Sequence, residues 1–327
     1  MLSAVMKALI RDRYGSPDVL EVRDVARPVP KEDQVLVRVH ACSLNDWDWG
    51  LLQQPTFPIF GRGGTPRVKI LGSDVAGRVA EVGSAVRRFK PGDEVYGDLA
   101  GIGGWGGFAE YVCASEKRLV PKPARMTFEQ AAALPQAGQL AVQALFTAGP
   151  LRAGQKILIN GAGGGVGTIG VQLAKLHDVE VTGVDIALKH EMMRRIGFNH
   201  VIDYTTEDFT RNGRRYDLII DTRTTRSAVD YARALEPGGT YATVGGPSIL
   251  GLLWIPIVGL PFRFTAGKKI RLIGLRYNRD VAYLGERVEA GQLVPVIDGP
   301  YPLSEAREAF RRFGAGRQMG KIVITID

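Results

Sequence analysis

A glycine-rich turn near the middle of the chain constrains the fold more than any other feature. The run Asn160-Gly161-Ala162-Gly163-Gly164-Gly165-Val166-Gly167 lies between a short apolar segment typical of a strand and a segment with the apolar spacing of a helix. Glycines let the backbone approach a phosphate closely, and the first turn of a helix offers unpaired N–H groups. Asp185, eighteen residues beyond Gly167, is placed to accept from a ribose hydroxyl. The pattern predicts a dinucleotide-binding unit.

Strand-like segments continue after the glycine turn. They cover residues 179–184, 200–204, 216–221, 240–244 and 270–275, with helical or loop segments between them. Alternation of strands and helices is typical of a parallel sheet with helices on both faces. The sequence therefore predicts an α/β fold in which this part of the chain forms a doubly wound parallel sheet.

The N-terminal part of the chain has a different pattern. Residues 1–124 are dense in short strand signals separated by turns such as Pro91-Gly92, without regular alternation of strand and helix. This pattern predicts a compact β-barrel-like domain. A helix is then expected after Thr127, which forms the sequence of a capping box with Gln130.

The C-terminal residues 277–327 do not extend a dinucleotide sheet naturally, so they are assigned to the first domain. They contain a predicted helix over 280–290, a strand over 294–297, an amphipathic helix from Leu303 and a closing strand over 321–326. The predicted organisation is a first domain of residues 1–124 and 277–327, and a second domain of residues 125–276.

Composition and charge restrict the class of protein. With 45% hydrophobic and 23% charged residues, the chain of 327 residues resembles an ordinary globular protein. Its two cysteines, Cys42 and Cys113, cannot form a four-cysteine zinc site and favour a reducing compartment. The net charge of +8 is dispersed, which argues against a nucleic-acid partner. The start shows no signal-peptide pattern, so a cytoplasmic location is expected.

An apolar segment over residues 249–262 departs from this composition. At 14 residues it is too short to span a bilayer, and Gly251, Pro256, Gly259 and Pro261 interrupt it. Two interpretations remain open. The segment forms a lid or subunit contact, or it makes a weak contact with a membrane surface.

Motifs along nearly the whole chain resemble one known family. They are Leu71-Gly72-Ser73-Asp74-Val75-Ala76-Gly77, Phe89-Lys90-Pro91-Gly92-Asp93-Glu94-Val95, Gly107-Phe108-Ala109-Glu110-Tyr111-Val112 with Ala131-Ala132-Ala133-Leu134-Pro135, the stretch from Gly161 to Lys175, and Tyr301-Pro302-Leu303 with Gly320-Lys321-Ile322-Val323-Ile324. Together they resemble the medium-chain dehydrogenase/reductase superfamily, specifically its zinc-free quinone oxidoreductase-like branch.

The resemblance implies a GroES-like β-barrel catalytic domain, a Rossmann cofactor domain, and a homodimer formed through the strand over 270–275. It also implies that Asn45 and Ser73 stand where the zinc alcohol dehydrogenases of this superfamily hold their metal. Both residues are poor zinc ligands, so no catalytic zinc is expected. Without a metal, a reduced nicotinamide would transfer hydride directly to a quinone or an α,β-unsaturated carbonyl compound.

Two side chains are candidates for a part in catalysis. Asn45 begins the run Asn45-Asp46-Trp47-Asp48-Trp49, which keeps a family pattern whose asparagine lies near the nicotinamide and substrate. Asn45 is therefore the first choice for a hydrogen-bond donor that orients the substrate, and Asp48 is interpreted as a structural network residue. Tyr111 could supply a proton to an enolate, although the family pattern more often assigns this position to packing at the domain junction.

The resemblance extends to the cofactor-binding residues. Asp185 favours NADH, because its carboxylate accepts from the 2′-hydroxyl and repels a 2′-phosphate. Lys189 and Tyr204, in contrast, match positions that contact that phosphate in NADPH-dependent relatives. The expected cofactor is therefore NAD(P)H, with NADH preferred over NADPH. The predicted cofactor-binding residues are Gly161, Gly163, Gly164, Gly165, Val166, Gly167, Asp185, Lys189, Tyr204, Thr222, Gly245 and Gly246.

Some residues depart from the family pattern. Leu140 replaces a threonine that usually faces the nicotinamide, and Arg223 and Thr224 replace the common Val-Gly. The main prediction is a zinc-independent, NAD(P)H-dependent oxidoreductase acting on a small-molecule quinone or enone. The departures keep open a dinucleotide-binding redox sensor or membrane-peripheral protein with little catalysis. A zinc alcohol dehydrogenase is the less favoured alternative.

Overall fold

The structure is a computed structural model, and it describes residues 4–54, 61–62, 65–100, 104–246 and 249–326. The chain forms two compact units, the first comprising Met1–Gln136, Tyr277–Gly291 and Pro295–Asp327, and the second comprising Ala137–Arg276 and Gln292–Val294. The predicted limits place residues 125–136 in the second domain and residues 292–294 in the first, whereas the two compact units have the opposite assignment. The domain limits stay a prediction.

The first unit is built on a seven-stranded, mainly antiparallel sheet. Its order is Ile297–Pro302, Lys321–Thr325, Gln34–Ser43, Asp74–Val82, Glu94–Asp98 and Val120–Pro121, with Tyr111–Ser115 also paired to Gln34–Ser43. Two smaller sheets pair Val5–Ile10 with Glu21–Ala26 and Gly61–Arg62 with Thr65–Pro66. The long strand Gln34–Ser43 buries Val35, Val37 and Val39, whose branched side chains suit a pleated sheet.

Helices pack against this sheet. In the first unit they are Asp46–Gln53, Phe128–Ala132, Val281–Glu289 and Ala306–Gly314. The predicted capping box is confirmed, because Thr127 Oγ1 accepts from the Gln130 N–H at 3.2 Å and Gln130 Oε1 accepts from the Thr127 N–H at 3.1 Å. The apolar side of Ala306–Gly314 joins the core through Phe310, whose ring meets that of Phe108 edge-on at 5.7 Å.

The C-terminal strand returns to the first unit, as the sequence predicts. In the antiparallel pair between Lys321–Thr325 and Gln34–Ser43, Val323 lies opposite Ser43 and Ile324 opposite Cys42. The strand predicted over 294–297 is wrong, because pairing with the C-terminal strand begins only at Ile297 and the strand continues to Pro302. Pro295 has no N–H to donate to a ladder, so the apolar run before Ile297 resembles a strand without forming one.

The second unit contains the predicted parallel sheet. Its six strands lie in the order His200–Asp203, Glu180–Asp185, Lys156–Asn160, Tyr216–Asp221, Leu235–Thr243 and Lys269–Leu272, and every neighbouring pair is parallel. The direction of winding reverses between Lys156–Asn160 and Tyr216–Asp221. Ligands of doubly wound sheets bind at the carboxyl ends of the strands beside such a reversal.

Within the described residues, six α-helices are associated with the second unit. They are Pro135–Leu145, which begins in the first unit, Gly165–Ala174, His190–Arg195, Ala228–Arg233, Ile249–Val258 and Leu260–Ala266. The sixth strand, predicted over 270–275, ends at Leu272. The apolar segment over 249–262 forms most of the last two helices, and Pro256 lies inside the first of them. Over the described part of the chain, no helix has the length and apolarity needed to cross a membrane.

Candidate active site

The glycine turn follows the strand Lys156–Asn160 and leads directly into the helix Gly165–Ala174. Gly161 has a φ of +82°, and a Cβ at this position would lie 2.1 Å from Thr222 Oγ1. A Cβ on Gly167 would lie 2.3 Å from the carbonyl oxygen of Ala162. Both glycines are therefore required by the space available, which explains why the local sequence is so distinctive.

Backbone amides are available where the helix begins. The N–H groups of Gly165, Val166 and Gly167 belong to the first helical turn, which has no intrahelical acceptor for them, and Gly164 has no side chain to cap them. The helix dipole adds positive potential at the same end. These groups and the close approach allowed by the glycines suit the pyrophosphate of a dinucleotide. That they bind it stays a prediction.

Asp185 and Lys189 form an ion pair beside the turn. Lys189 Nζ lies 3.2 Å from Asp185 Oδ1, and both side chains are almost completely buried. Asp185 Oδ2 accepts from the Gly163 N–H at 2.9 Å, and Oδ1 accepts from the Ile186 N–H at 2.9 Å. The two residues that favour different cofactors in the sequence thus contact each other, and Lys189 partly neutralises the charge of Asp185.

The structure brings all the predicted cofactor-binding residues to one edge of the parallel sheet. The glycine turn follows the first strand, Asp185 ends the second, Tyr204 follows His200–Asp203, and Thr222 follows Tyr216–Asp221. Gly245 and Gly246 come after Leu235–Thr243. Because parallel strands place their carboxyl ends together, these residues share the carboxyl edge of the sheet.

A buried carboxylate organises the loop that contains Arg223 and Thr224. Asp221 Oδ1 accepts from both of their backbone N–H groups, at 2.8 and 3.1 Å, and from Asn160 Nδ2 at 2.8 Å. Asp221 Oδ2 accepts from the Tyr241 hydroxyl at 2.9 Å. The departure from the family pattern is thus accommodated by a satisfied network, which the sequence alone did not reveal.

In the first unit, Asn45 stands immediately before the helix Asp46–Gln53 and is buried. Its Nδ2 donates to Ser73 Oγ at 3.5 Å, so the two residues expected at metal-ligand positions are neighbours. Asp48 accepts from the Asn45 N–H at 2.9 Å and from the Gly72 N–H at 2.8 Å. These bonds confirm that Asp48 belongs to a structural network. Complete burial raises the pKa of Asp48 to about 7.

Sequence reasoning missed a buried ion pair beside Asn45. Lys321 Nζ donates to Asn45 Oδ1 at 2.5 Å and lies 3.6 Å from Asp74 Oδ2. Burial raises the pKa of Asp74, while the ammonium of Lys321 opposes that shift. We call Asn45, Ser73, Asp74 and Lys321 the Asn45 cluster. The sequence places Ser73, Asp74 and Lys321 in runs that resemble the family, and it has a lysine at the start of an otherwise apolar strand, but neither signal indicates that these residues meet.

Tyr111 lies in a different environment. Its ring packs against the small core of Met6, Ala8, Ile10 and Ala109, and the guanidinium of Arg27 lies 4.5 Å from the ring centre. These contacts show packing within the first unit, and packing of Tyr111 at the domain junction stays a prediction. Its role as a proton donor stays a prediction.

The part of the chain that is described contains no group of three or more histidine, cysteine, aspartate or glutamate side chains able to hold a metal ion. The prediction that Asn45 and Ser73 are poor zinc ligands does not depend on this absence. It rests on the chemistry of an amide and a hydroxyl side chain. Independence from zinc stays a prediction.

Comparison with known proteins decides the family. An alcohol dehydrogenase GroES-like domain matches residues 31–124, and a zinc-binding dehydrogenase domain matches residues 196–324. A chloroplast envelope quinone oxidoreductase homolog from Arabidopsis thaliana is 34% identical over 337 residues, covering 99% of each chain. The chain belongs to the medium-chain dehydrogenase/reductase superfamily. Within that superfamily it falls in the quinone oxidoreductase-like branch, and its fold is a GroES-like domain with a Rossmann-like parallel sheet.

Two further similar proteins extend the comparison. An NADPH-dependent alkenal/one oxidoreductase from Arabidopsis thaliana chloroplasts is 34% identical over 331 residues, covering 98% of this chain and 79% of the relative. The solved structure of a quinone oxidoreductase from Coxiella burnetii has a TM-score of 0.89 and 30% identity, and the match covers 99% of this chain and 100% of that one. The relatives thus include proteins named for quinones and for enones.

Proposed function

We propose that this protein is an NAD(P)H-dependent, zinc-independent oxidoreductase that transfers hydride to a quinone or an α,β-unsaturated carbonyl compound. The observation that carries the proposal is the carboxyl edge of the parallel sheet, where Gly163 donates to Asp185, the ion-pair partner of Lys189, and the helix with the amides of Gly165, Val166 and Gly167 begins two residues later. This edge offers both a phosphate site and polar groups for a ribose. Relatives named for both classes of acceptor support the choice of substrate.

The cofactor would supply a hydride, and the protein would bind and orient the reactants. The acceptor's carbonyl oxygen gains negative charge during the reduction, so a hydrogen-bond donor aimed at that oxygen lowers the barrier. Asn45 Nδ2 is the donor we assign to this task. Exclusion of water from the reacting groups would strengthen the interaction.

The proposal favours NADH over NADPH. Backbone amides of Gly163 and Ile186 hold both carboxylate oxygens of Asp185, so its negative charge is fixed at the carboxyl edge. A 2′-phosphate would bring more negative charge toward it. Lys189 already pairs with Asp185, which leaves less of its charge for a phosphate.

The test is turnover by purified protein after treatment with a chelator. Oxidation of NADH and of NADPH is followed with a panel of quinones and enones, and the metal content is measured in the same sample. We expect turnover without bound zinc and a higher kcat/KM for NADH. No turnover with any acceptor, or turnover that returns only with zinc, would contradict the proposal.

We extend the proposal to a homodimer in the cytoplasm. Among the strands described, Lys269–Leu272 pairs only with Leu235–Thr243 and lies at the edge of the parallel sheet. An edge strand is a natural place for pairing with a second copy. Light scattering at several concentrations tests the dimer, and fractionation of the source cells tests the location.

A second candidate function is dinucleotide binding at a membrane surface with little catalysis. The observation that favours it is the exposure of Leu253, Trp254, Ile257 and Val258 on the helix Ile249–Val258. Sedimentation with phospholipid vesicles tests it, using Trp254→Gln combined with Ile257→Gln. The control is Leu188→Gln, a single exposed apolar residue elsewhere in the second unit. Vesicle binding lost only in the first variant, without turnover, would favour this function.

A further inference from the structure

Lys321 is a buried cation beside the residue that we assign to orient the acceptor. It begins the strand Lys321–Thr325, and only 6% of its side chain is exposed. Its Nζ donates to Asn45 Oδ1 at 2.5 Å and to the Leu44 carbonyl oxygen at 3.0 Å. Burying an ammonium is costly unless its charge and its donors are satisfied, so this placement needs an explanation.

The ammonium determines how the Asn45 amide is oriented. An ammonium has only donors, so the amide atom that it contacts must be the oxygen. Nδ2 therefore faces the other way, toward Ser73 Oγ at 3.5 Å, which is a long hydrogen bond. Nδ2 also hydrogen-bonds to the buried carboxylate of Asp74, which opposes the rise that burial causes in the pKa of Asp74. Because the bond to Ser73 Oγ is long, the second N–H of the amide can donate to a further acceptor.

Asp74 balances the charge of Lys321. Its carboxylate is completely buried, 3.6 Å from Lys321 Nζ, and it accepts from the Gln136 N–H at 3.1 Å and from Ser43 Oγ at 3.3 Å. These bonds hold the carboxylate in place next to the ammonium. In surroundings that exclude water, a charge in contact with an amide oxygen polarises the amide and strengthens its N–H groups as donors.

We propose that Lys321 is a positioning residue for the reduction. It fixes the Asn45 amide with Nδ2 directed toward the carbonyl oxygen of the acceptor, and it strengthens that N–H as a donor. This inference rests on the proposed function.

The electron flow shows where the amide acts. In the reduction of an enone, hydride adds to the β-carbon, the π electrons move to the carbonyl oxygen, and an enolate forms. Nδ2 donates most strongly to that oxygen when it carries this negative charge. A proton from water then adds to the α-carbon and completes the reduction. Lys321 keeps its own proton throughout.

The test removes both charges at once. Lys321→Met combined with Asp74→Asn leaves no unpaired buried ion, whereas Lys321→Met alone would. If the wild-type protein shows turnover, we expect the paired substitution to lower kcat about tenfold. The KM for the cofactor should change by less than about twofold. The matched control is Lys122→Met, because Lys122 is equally buried and pairs with Glu94 at 2.9 Å. The described partners of Lys122 do not include Asn45.

The decisive measurement repeats the change in an Asn45→Ala background. If Lys321 acts through Asn45, the paired substitution then lowers kcat no further. The inference would be overturned if the paired substitution lowered kcat by the same factor with Asn45→Ala as without it. It would also be overturned if the paired substitution lowered kcat no more than Lys122→Met does. Lys321→Arg, which keeps the charge, should retain more activity than the paired substitution. Wild-type protein without turnover would instead contradict the proposed function.

A second readout does not depend on turnover. In cofactor-free protein labelled with 15N, the side-chain amide signal of Asn45 is assigned from its disappearance in Asn45→Ala. We expect Lys321→Met with Asp74→Asn to move this signal and to narrow the separation of its two proton shifts, while Lys122→Met leaves it in place. An unmoved signal would show that Lys321 does not hold or polarise the amide, and the inference would fail.

Discussion

The glycine turn of the second unit and the Asn45 cluster of the first unit differ in how they are assembled. The turn uses neighbouring residues, from Gly161 to Gly167, and its requirements are steric. The Asn45 cluster joins Asn45 to Lys321, which is 276 positions further along the chain, and its requirements are electrostatic. A site built from adjacent residues leaves a readable motif, whereas a site built by tertiary pairing leaves only isolated residues in the sequence.

The largest expected effect tests the steric nature of the turn. Gly167→Ala places a Cβ within 2.6 Å of three backbone atoms of Ala162, which cannot move without distorting the turn. We expect the affinity for NADH to fall by more than about 100-fold, as measured by calorimetry. Gly274→Ala is the control, because its Cβ would meet nothing within 4 Å. Equal losses in both variants would contradict a steric requirement specific to the turn.

The next prediction tests the chemical role of the Asn45 cluster. Asn45→Ala removes the donor assigned to the acceptor oxygen, so we expect kcat to fall about 100-fold. Affinity for NADH should stay within about twofold, since the predicted cofactor residues lie in the second unit. Gln53→Ala, an exposed change at the end of the following helix, is the control. A change in KM alone would assign Asn45 to binding.

A third prediction concerns the electrostatics of the first unit. Asp98 is buried, its Oδ1 accepts from the Ala100 N–H at 2.8 Å, and its Oδ2 has no hydrogen-bond partner among the described residues. Burial and the neighbouring Asp74 carboxylate raise the pKa of Asp98. The folded state therefore favours the protonated form, and this stabilisation is complete below about pH 4 and is lost as pH rises through the folded-state pKa.

Asp98→Asn keeps the acceptor and removes the titration. The free energy of unfolding of the wild type should therefore decrease relative to Asp98→Asn by about 2 kcal/mol between pH 5 and pH 8. Urea unfolding at the two pH values measures this difference. A difference that is constant with pH would mean that Asp98 is ionised throughout and that the neighbouring cations outweigh its burial.

The smallest expected effect concerns the cofactor. Asp185→Ser removes the carboxylate that disfavours a 2′-phosphate and releases Lys189 from its ion pair. The ratio of kcat/KM for NADPH to that for NADH should rise about tenfold. Glu191→Gln is the control, since this exposed carboxylate pairs with Arg195. An unchanged ratio would place the cofactor preference elsewhere on the carboxyl edge.

The sequence predicted the parts of the fold that depend on local pattern. The glycine turn, the capping box at Thr127 and the parallel strands all have short-range signals, and the structure contains each of them. The strand over 294–297 was placed incorrectly, because its position depends on pairing with Lys321–Thr325 rather than on its own residues. Registers between distant strands are not encoded in either segment alone.

The same limit applies to the candidate site. Asp185 and the glycines could be identified because a ligand constrains their spacing. Lys321 and Asp221 could not, since each is an ordinary charged residue at the end of a strand until tertiary structure buries it. Their contacts with Asn45 and with the Arg223 loop appear only when segments far apart in the chain are brought together.

The separation between Asn45 and Lys321 also has a consequence for synthesis of the chain. The strands of the parallel sheet lie between Lys156 and Leu272, so a nascent chain can complete the carboxyl edge before Lys321 has been made. Domains that are contiguous in sequence can fold as units while translation continues. The Asn45 amide, in contrast, receives its cationic partner only after all the strands of the parallel sheet have been made. Cofactor affinity is thus expected to emerge earlier on the ribosome than catalytic competence.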